Sequence, residues 1–220
     1  MLHETLTEIY NRLFERFGPQ HWWPGQTPLE IMVGAVLTQN TNWANVEKAI
    51  ANLKQASLLD AQKLRRIDAA DLAPLIRPAG YFNLKARRLK ALIEWLGDQY
   101  EGDPGQAARR PAEVLREELL SVRGIGPETA DSILLYALGK PVFVVDAYTA
   151  RILTRHGLIA PPVDYHEIQA LFENTLPRET ALFNEYHALL VCCGKHFCKP
   201  KPLCGNCPLQ PMPHEIEELY

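Results

Sequence analysis

Apolar residues return at steps of three and four along nearly the whole chain, and the alternation of β-branched and polar residues that a strand requires is almost absent. That rhythm restricts the fold to an all-α one. It predicts helices over about Leu6–Phe17, Pro28–Leu37, Trp43–Lys54, Leu84–Gln99, Ala112–Leu120, Glu128–Leu138, Ala147–His156, Tyr165–Thr175 and Glu179–Cys192. Breakers punctuate them at Pro24-Gly25, Gly102–Gly105, Gly124–Pro127, Pro161-Pro162 and Pro200–Pro202. With 220 residues, 47% of them hydrophobic, the chain can bury a core without disulfides, so its five cysteines are available for other work.

No internal repeat or low-complexity tract occurs, and the acidic end with Glu215, Glu217 and Glu218 reads as a solvated terminus. No long apolar run exists to span a bilayer, and the first residues lack the basic-then-apolar order of an export signal. A cytoplasmic location without membrane attachment is therefore expected, nucleoid-associated in a bacterium. A formal net charge of -3 argues against a globally basic coat and leaves room for a local cationic face.

Two stretches rise above the helical background. In Leu120–Asp131 one helix ends, Gly124-Ile125-Gly126 turns the chain, and Pro127 opens the next helix. Backbone N–H groups at such a turn, backed by the positive end of a helix dipole, suit a phosphodiester held without any base being read. A plain helix corner with no ligand is the alternative. Twenty residues on, Asp146 ends the apolar run Val142–Val145 where a helix begins. It suits a helix N-cap, and it is equally a carboxylate shielded enough to act on a developing cation or an attacking water.

Through Val122–Ala130 and Val145-Asp146 the chain resembles the helix-hairpin-helix superfamily of DNA glycosylases typified by endonuclease III. Val36–Trp43 and Ile76–Ala86 are most similar to its 3-methyladenine DNA glycosylase III branch. The resemblance implies a two-lobed all-α fold: a six-helix barrel lobe with the hairpin over about residues 24–135, and a second lobe from 1–23 plus 136–220 carrying a cysteine loop. A cleft between them would receive double-stranded DNA containing a damaged base, with Gly124, Ile125, Gly126, Thr129 and Lys85 touching the strand. These enzymes look built to work as monomers.

Members that also cut the strand place a lysine two residues after the second hairpin glycine, where its amine forms a Schiff base. Glu128 stands there, and a carboxylate forms no imine. The reading is a monofunctional glycosylase that hydrolyses the N-glycosidic bond through an oxocarbenium-like state, with Asp146 as the catalytic carboxylate. A base that leaves as a neutral molecule from a cationic adduct, such as 3-methyladenine, needs no general acid. Aromatic faces would hold the extruded ring, and the resemblance assigns that task to Trp43 and one of the pair Trp22 and Trp23, with Trp23 preferred. Gln39 resembles the glutamine that fills the space left in the duplex. The cationic run Lys85, Arg87, Arg88 and Lys90 lies on a helix whose Leu84, Leu89 and Leu92 would face inward.

The second stretch holds Cys192, Cys193, Cys198, Cys204 and Cys207 on a Pro/Gly-rich segment. In a chain with no sign of export this points to metal rather than disulfides. Cys198, Cys204 and Cys207 resemble the first three ligands of the family's [4Fe–4S] cluster with one residue deleted from the first gap. No cysteine follows Cys207, so the fourth ligand would be Cys193 or Cys192; His196 is a weaker substitute. Zinc, or no metal, are the alternatives. Lys195, Lys199 and Lys201 would then ride on a rigid loop beside DNA. The competing functions are an endonuclease III-type glycosylase and lyase for oxidised pyrimidines, and a non-catalytic DNA-binding iron–sulfur protein.

Overall fold

The computed structural model describes residues 2–162 and 164–215, so Glu217 and Glu218 of the acidic end lie outside the described residues. Every regular element among the described residues is a helix. In chain order these are α1 Leu2–Phe17, α2 Pro28–Leu37, α3 Trp43–Gln55, α4 Ala61–Arg66, α5 Ala69–Leu75, α6 Phe82–Tyr100, α7 Pro104–Ala107, α8 Ala112–Ser121, α9 Pro127–Ser132, α10 Ala147–Arg155, α11 Tyr165–Thr175 and α12 Thr180–His196. None of these helices is long and apolar enough to cross a membrane. Short 3-10 turns follow at Arg77–Ala79 and Cys204–Asn206. The single helix expected over Glu128–Leu138 is instead α9 followed by a π-helical stretch, Ile133–Ala137.

The chain divides into two compact units, one being Trp23–Lys140 and the other joining the segment up to Trp22 with the segment from Pro141. At the centre of the first lies α2, apolar on nearly every side and buried from Met32 to Leu37. Thr27 caps it by accepting from the Glu30 N–H, and Pro28 occupies its first turn. Around it pack α3, α6, α7, α9 and the π stretch. In the second unit α12 is the spine, and α1 and α10 lie against it. Leu6, Ile9 and Leu13 of α1 are fully buried, each side chain contributing roughly 1.5–3 kcal/mol. Tyr186 of α12 donates to the Leu6 carbonyl at 2.7 Å, closing the two ends of the chain on each other.

The inward stripe of α6 departs from expectation. Lys85, Ala86, Leu89, Leu92, Ile93 and Leu96 face the core, whereas Leu84 is 39% exposed. Lys85 therefore does not touch a DNA strand: it is 1% exposed, and its ammonium donates to the Leu37 and Ala79 carbonyls at 2.8 and 2.7 Å. Burial first and Arg88 second push its pKa down to about 8. Lysine can sit here because carbonyls at the end of α2 and in the neighbouring turn replace its water. Of the other three cations, Arg88 and Lys90 are half-buried and donate within the unit, while Arg87 is exposed.

Candidate active site

Within the Trp23–Lys140 unit, α8 and α9 form a helix-hairpin-helix joined at Gly124–Gly126. Ile125 plugs the turn into the core at 5% exposure, and its N–H closes on the Val122 carbonyl at 3.1 Å. Gly124 has φ +90°, and a Cβ there would lie 2.4 Å from Arg88 Cγ, so backbone strain and packing both require glycine. Gly126 differs. Its φ of -98° is ordinary and a Cβ would meet nothing within 4 Å, so the protein's own packing does not require glycine there.

Gln39 is built into this turn. Its Nε2 donates to the Gly124 carbonyl at 3.1 Å and to Thr129 Oγ1 at 2.9 Å, and its Oε1 accepts from Arg88 at 2.5 Å. These three bonds hold Gln39 against its own unit. Thr129, buried at 7%, is likewise turned towards Gln39. Glu128 sits exposed in the first turn of α9, where it complements the helix dipole. The Lys140 amine is held on the Ala108 carbonyl at 2.7 Å.

The tryptophans part company. Trp23 meets Trp43 edge to face, with centroids 5.2 Å apart and planes at 88°, and leans on Tyr136 of the π stretch at 5.1 Å. Trp22 belongs to the other unit, with the Lys195 ammonium 5.6 Å above its ring. The expected sandwich of a base between Trp43 and Trp23 is not the arrangement seen: perpendicular rings in contact leave no slot between them. Tyr136, which sequence reasoning did not select, completes the aromatic group. Its tyrosine sat inside the apolar run Ile133–Ala137 and was indistinguishable from core.

In the other unit, the run Val142–Val145 is extended but pairs with no strand. Its polar groups are met by side chains of α11: Phe143 donates to Glu173, its carbonyl accepts from Gln169, and Val145 donates to the Tyr165 hydroxyl. Phe143 stacks on Phe172 at 3.7 Å. This anchored segment delivers Asp146 to the start of α10, where Oδ1 accepts from the Thr149 N–H at 2.7 Å as a true N-cap. Its Oδ2 faces His187 Nε2 at 3.7 Å, an ion-pair distance rather than a hydrogen bond. Burial pushes the Asp146 pKa up, but His187 and the Thr149 N–H outweigh it and hold the group below the usual carboxylate range. Asp146 is thus an ionised carboxylate that is 88% shielded, its side chain being 12% exposed.

The same unit gathers the thiols. Cys193, Cys198, Cys204 and Cys207 line one pocket, partly open to solvent, together with Ile152, Arg155 and His214. Cys192, adjacent in sequence, is not on its wall. Among the described residues, no group of three or more His, Cys, Asp or Glu is drawn tightly enough together to grip a single ion. Arg155 donates to Cys198 Sγ at 3.3 Å and to the carbonyls of Lys199 and Pro200, and Arg151 donates to the Cys198 carbonyl. A hydrogen bond from the Cys193 thiol, helped by backbone N–H groups of Leu209 and Gln210, brings Cys207 down to about 6 against the effect of burial.

These features are those of one enzyme family. The HhH-GPD superfamily of base excision DNA repair proteins matches residues 33–178, a span that includes the hairpin and Asp146. The chain belongs to this superfamily. It is 48% identical, over 94% of each chain, to a Methanocaldococcus jannaschii protein named as a DNA repair glycosylase. It is also 30% identical to endonuclease III of Thermotoga maritima, over 92% of this chain and 89% of the relative. The structure of the Helicobacter pylori 3-methyladenine DNA glycosylase bound to 1,N6-ethenoadenine matches with a TM-score of 0.73 at 33% identity, covering 86% of this chain and 95% of the other. This HhH-GPD protein is accordingly a base excision repair DNA glycosylase. The family match ends before His187 and before all five cysteines.

Proposed function

We propose that this HhH-GPD glycosylase hydrolyses the N-glycosidic bond of a cationic alkylated purine, such as 3-methyladenine, in double-stranded DNA and leaves the strand uncut. The observation that carries the reading is Glu128. It occupies the position, two residues after Gly126, from which a lysine amine would attack the sugar, and no imine can form on a carboxylate. Water must then serve as nucleophile. The C1′–O bond forms as the C1′–N bond breaks, the bonding pair leaves with the cationic base and neutralises it, and Asp146 takes the water proton. An ionised, shielded carboxylate is suited to stabilise the positive charge that builds on the sugar.

Gly126 supports a DNA-facing role for the hairpin, because the space its missing side chain leaves open is where a phosphate can approach the backbone. The likeness to the Helicobacter pylori enzyme supports the alkylpurine class. The relative named endonuclease III favours a second reading, removal of oxidised pyrimidines with strand cleavage. Incubation with duplexes carrying methylated purines, oxidised pyrimidines or uracil is expected to yield free methylated purine and an intact abasic strand. Borohydride trapping of a protein–DNA adduct, or a nick with an oxidised pyrimidine, would overturn the reading.

We further infer that Cys193, Cys198, Cys204 and Cys207 hold a [4Fe–4S] cluster. Four soft thiol donors around one pocket, with Arg155 donating to Cys198, suit iron and sulfide better than a hard cation. Bound there, the cluster would cross-link the C-terminal loop to α12 and play a structural part. Anaerobically purified protein is expected to contain about four irons and four sulfides per chain. Cys193→Ser should lose most of that iron, and Cys192→Ser should keep it. Stoichiometric zinc without sulfide, or equal loss in both variants, contradicts this assignment.

A further inference from the structure

We propose that His187 is a positioning residue of the glycosylase reaction, holding the free oxygen of Asp146 ionised and aimed while the helix end holds the other. The proposal rests on the reading of Asp146 as the catalytic carboxylate.

The inward face of α12 runs Phe183, Tyr186, His187, Leu190 and Gly194, and on it His187 is 5% exposed. A buried imidazole among apolar neighbours is costly unless it meets a partner. Phe143 stands edge-on to the ring at 6.5 Å, and Asp146 Oδ2 lies 3.7 Å from its Nε2. The two carboxylate oxygens therefore have separate tasks. Oδ1 is spent on the Thr149 N–H and fixes the group at the start of α10, whereas Oδ2 is restrained across the unit by a ring from a different helix.

Thr149 of α10 acts on the carboxylate through its side chain as well as its N–H, while the following groups of the packed elements are directed elsewhere. On α10, Arg151 and Arg155 are directed at carbonyls and sulfur of the cysteine loop. On α11, the Tyr165 hydroxyl and the Glu173 carboxylate meet backbone N–H groups of the segment before Asp146. From α1, Leu6, Ile9 and Leu13 face inward, and Tyr10 lies against the ring of Tyr186, whose hydroxyl donates to Leu6. His187 is the ring that faces the carboxylate among these.

A carboxylate stabilises an oxocarbenium-like sugar when it is ionised. Shielding alone favours the protonated acid, and the His187 ring facing the carboxylate opposes this, more strongly than it would in water. Removing the ring leaves burial unopposed, so the pKa of Asp146 rises and the active, ionised fraction falls at mildly acidic pH. The variants remain oriented by the Thr149 N–H, which places the loss in ionisation more than in the capping of α10.

The test is single-turnover release of a methylated purine from duplex DNA between about pH 5 and pH 8, measured on the full chain. The wild type is expected to show a flat rate down to the acidic end. In His187→Leu, an acidic limb should enter this window, with a loss of about tenfold for each unit the pH falls below the raised pKa and a near-normal rate at pH 8. His187→Gln keeps an N–H donor without the titratable ring and should fall between the two, with duplex affinity unchanged in both. A uniform loss at every pH, with no moved limb, means a merely structural role and overturns the proposal. Full activity in Asp146→Asn would instead sink the reading of Asp146 itself, so the two failures are separable. Should His187→Leu not fold, the limb of His187→Gln decides.

Discussion

Replacing Asp146 by asparagine is expected to lower the rate of base release by about a hundredfold to a thousandfold, the range seen when a single electrostatic contact to a developing charge is removed. The substitution separates chemistry from folding, because asparagine is as good an N-cap as aspartate. The Thr149 N–H keeps its acceptor and α10 keeps its start, so any loss of Tm should stay well below that of a variant lacking the cap. Duplex binding should persist, since the carboxylate carries no attraction for phosphate. Rates of free-base release, binding isotherms and melting curves on one preparation check all three. A variant that binds, folds and still releases base within a few-fold of wild type would remove Asp146 from the mechanism.

The largest effect on stability is expected at Arg116. Its Nε and Nη2 donate to the two oxygens of Asp131 at 2.7 and 3.0 Å, a fork that ties α8 to α9 directly behind the hairpin turn. Asp131 is completely buried, while Arg116 is 23% exposed. Arg116→Ala removes the fork and leaves a buried carboxylate without its guanidinium. That should cost about 3–5 kcal/mol, which lowers Tm on the order of 10 °C for a chain of this size. The double variant Arg116→Leu with Asp131→Leu should recover most of the loss, because the penalty arises from the stranded charge. A single-variant change below about 1 kcal/mol would show that the pair does little for the hairpin.

The sequence carried the long helices because their apolar periodicity extends over two or more turns. Both α2 and α11 begin and end at the residues the pattern indicates. The short helices α4, α5 and α7 were not legible, since four to seven residues offer too little period to count. Charge misled the reading of α6. Lys85 stands four residues before Leu89, on the same stripe as Leu92 and Leu96, but a lysine suggests solvent, and Leu84 was placed inward instead. What decides the matter is a pair of carbonyls from elsewhere in the chain, and no local pattern announces those.

The site was partly visible for the same reasons. Asp146 and the hairpin each had a plain local reading, an N-cap and a helix corner, and what singled them out was their order, which resembles that of the helix-hairpin-helix glycosylases. His187 had a signal, a polar residue on an apolar stripe between Phe183 and Leu190, whose meaning required knowing what lies opposite. The sequence left Cys192 and Cys193 equivalent as neighbours. Helix rotation separates them, because a step of one residue turns a side chain by about 100°, and α12 directs Cys193 at the cavity.

One unit is assembled from the two ends of the chain, with α1 seated on α12 and the Tyr186 hydroxyl bonded 180 residues back to Leu6. On a ribosome, the opening helix therefore emerges long before its docking surface exists. Its apolar stripe stays unsheltered while the intervening segment, itself a compact unit packed around α2, is made. The unit Trp23–Lys140 can thus reach its native state on the nascent chain, whereas the other closes only once α12 has been made. Chaperone dependence and early proteolysis should concentrate on α1, and a chain cut short before α12 should leave α1 undocked.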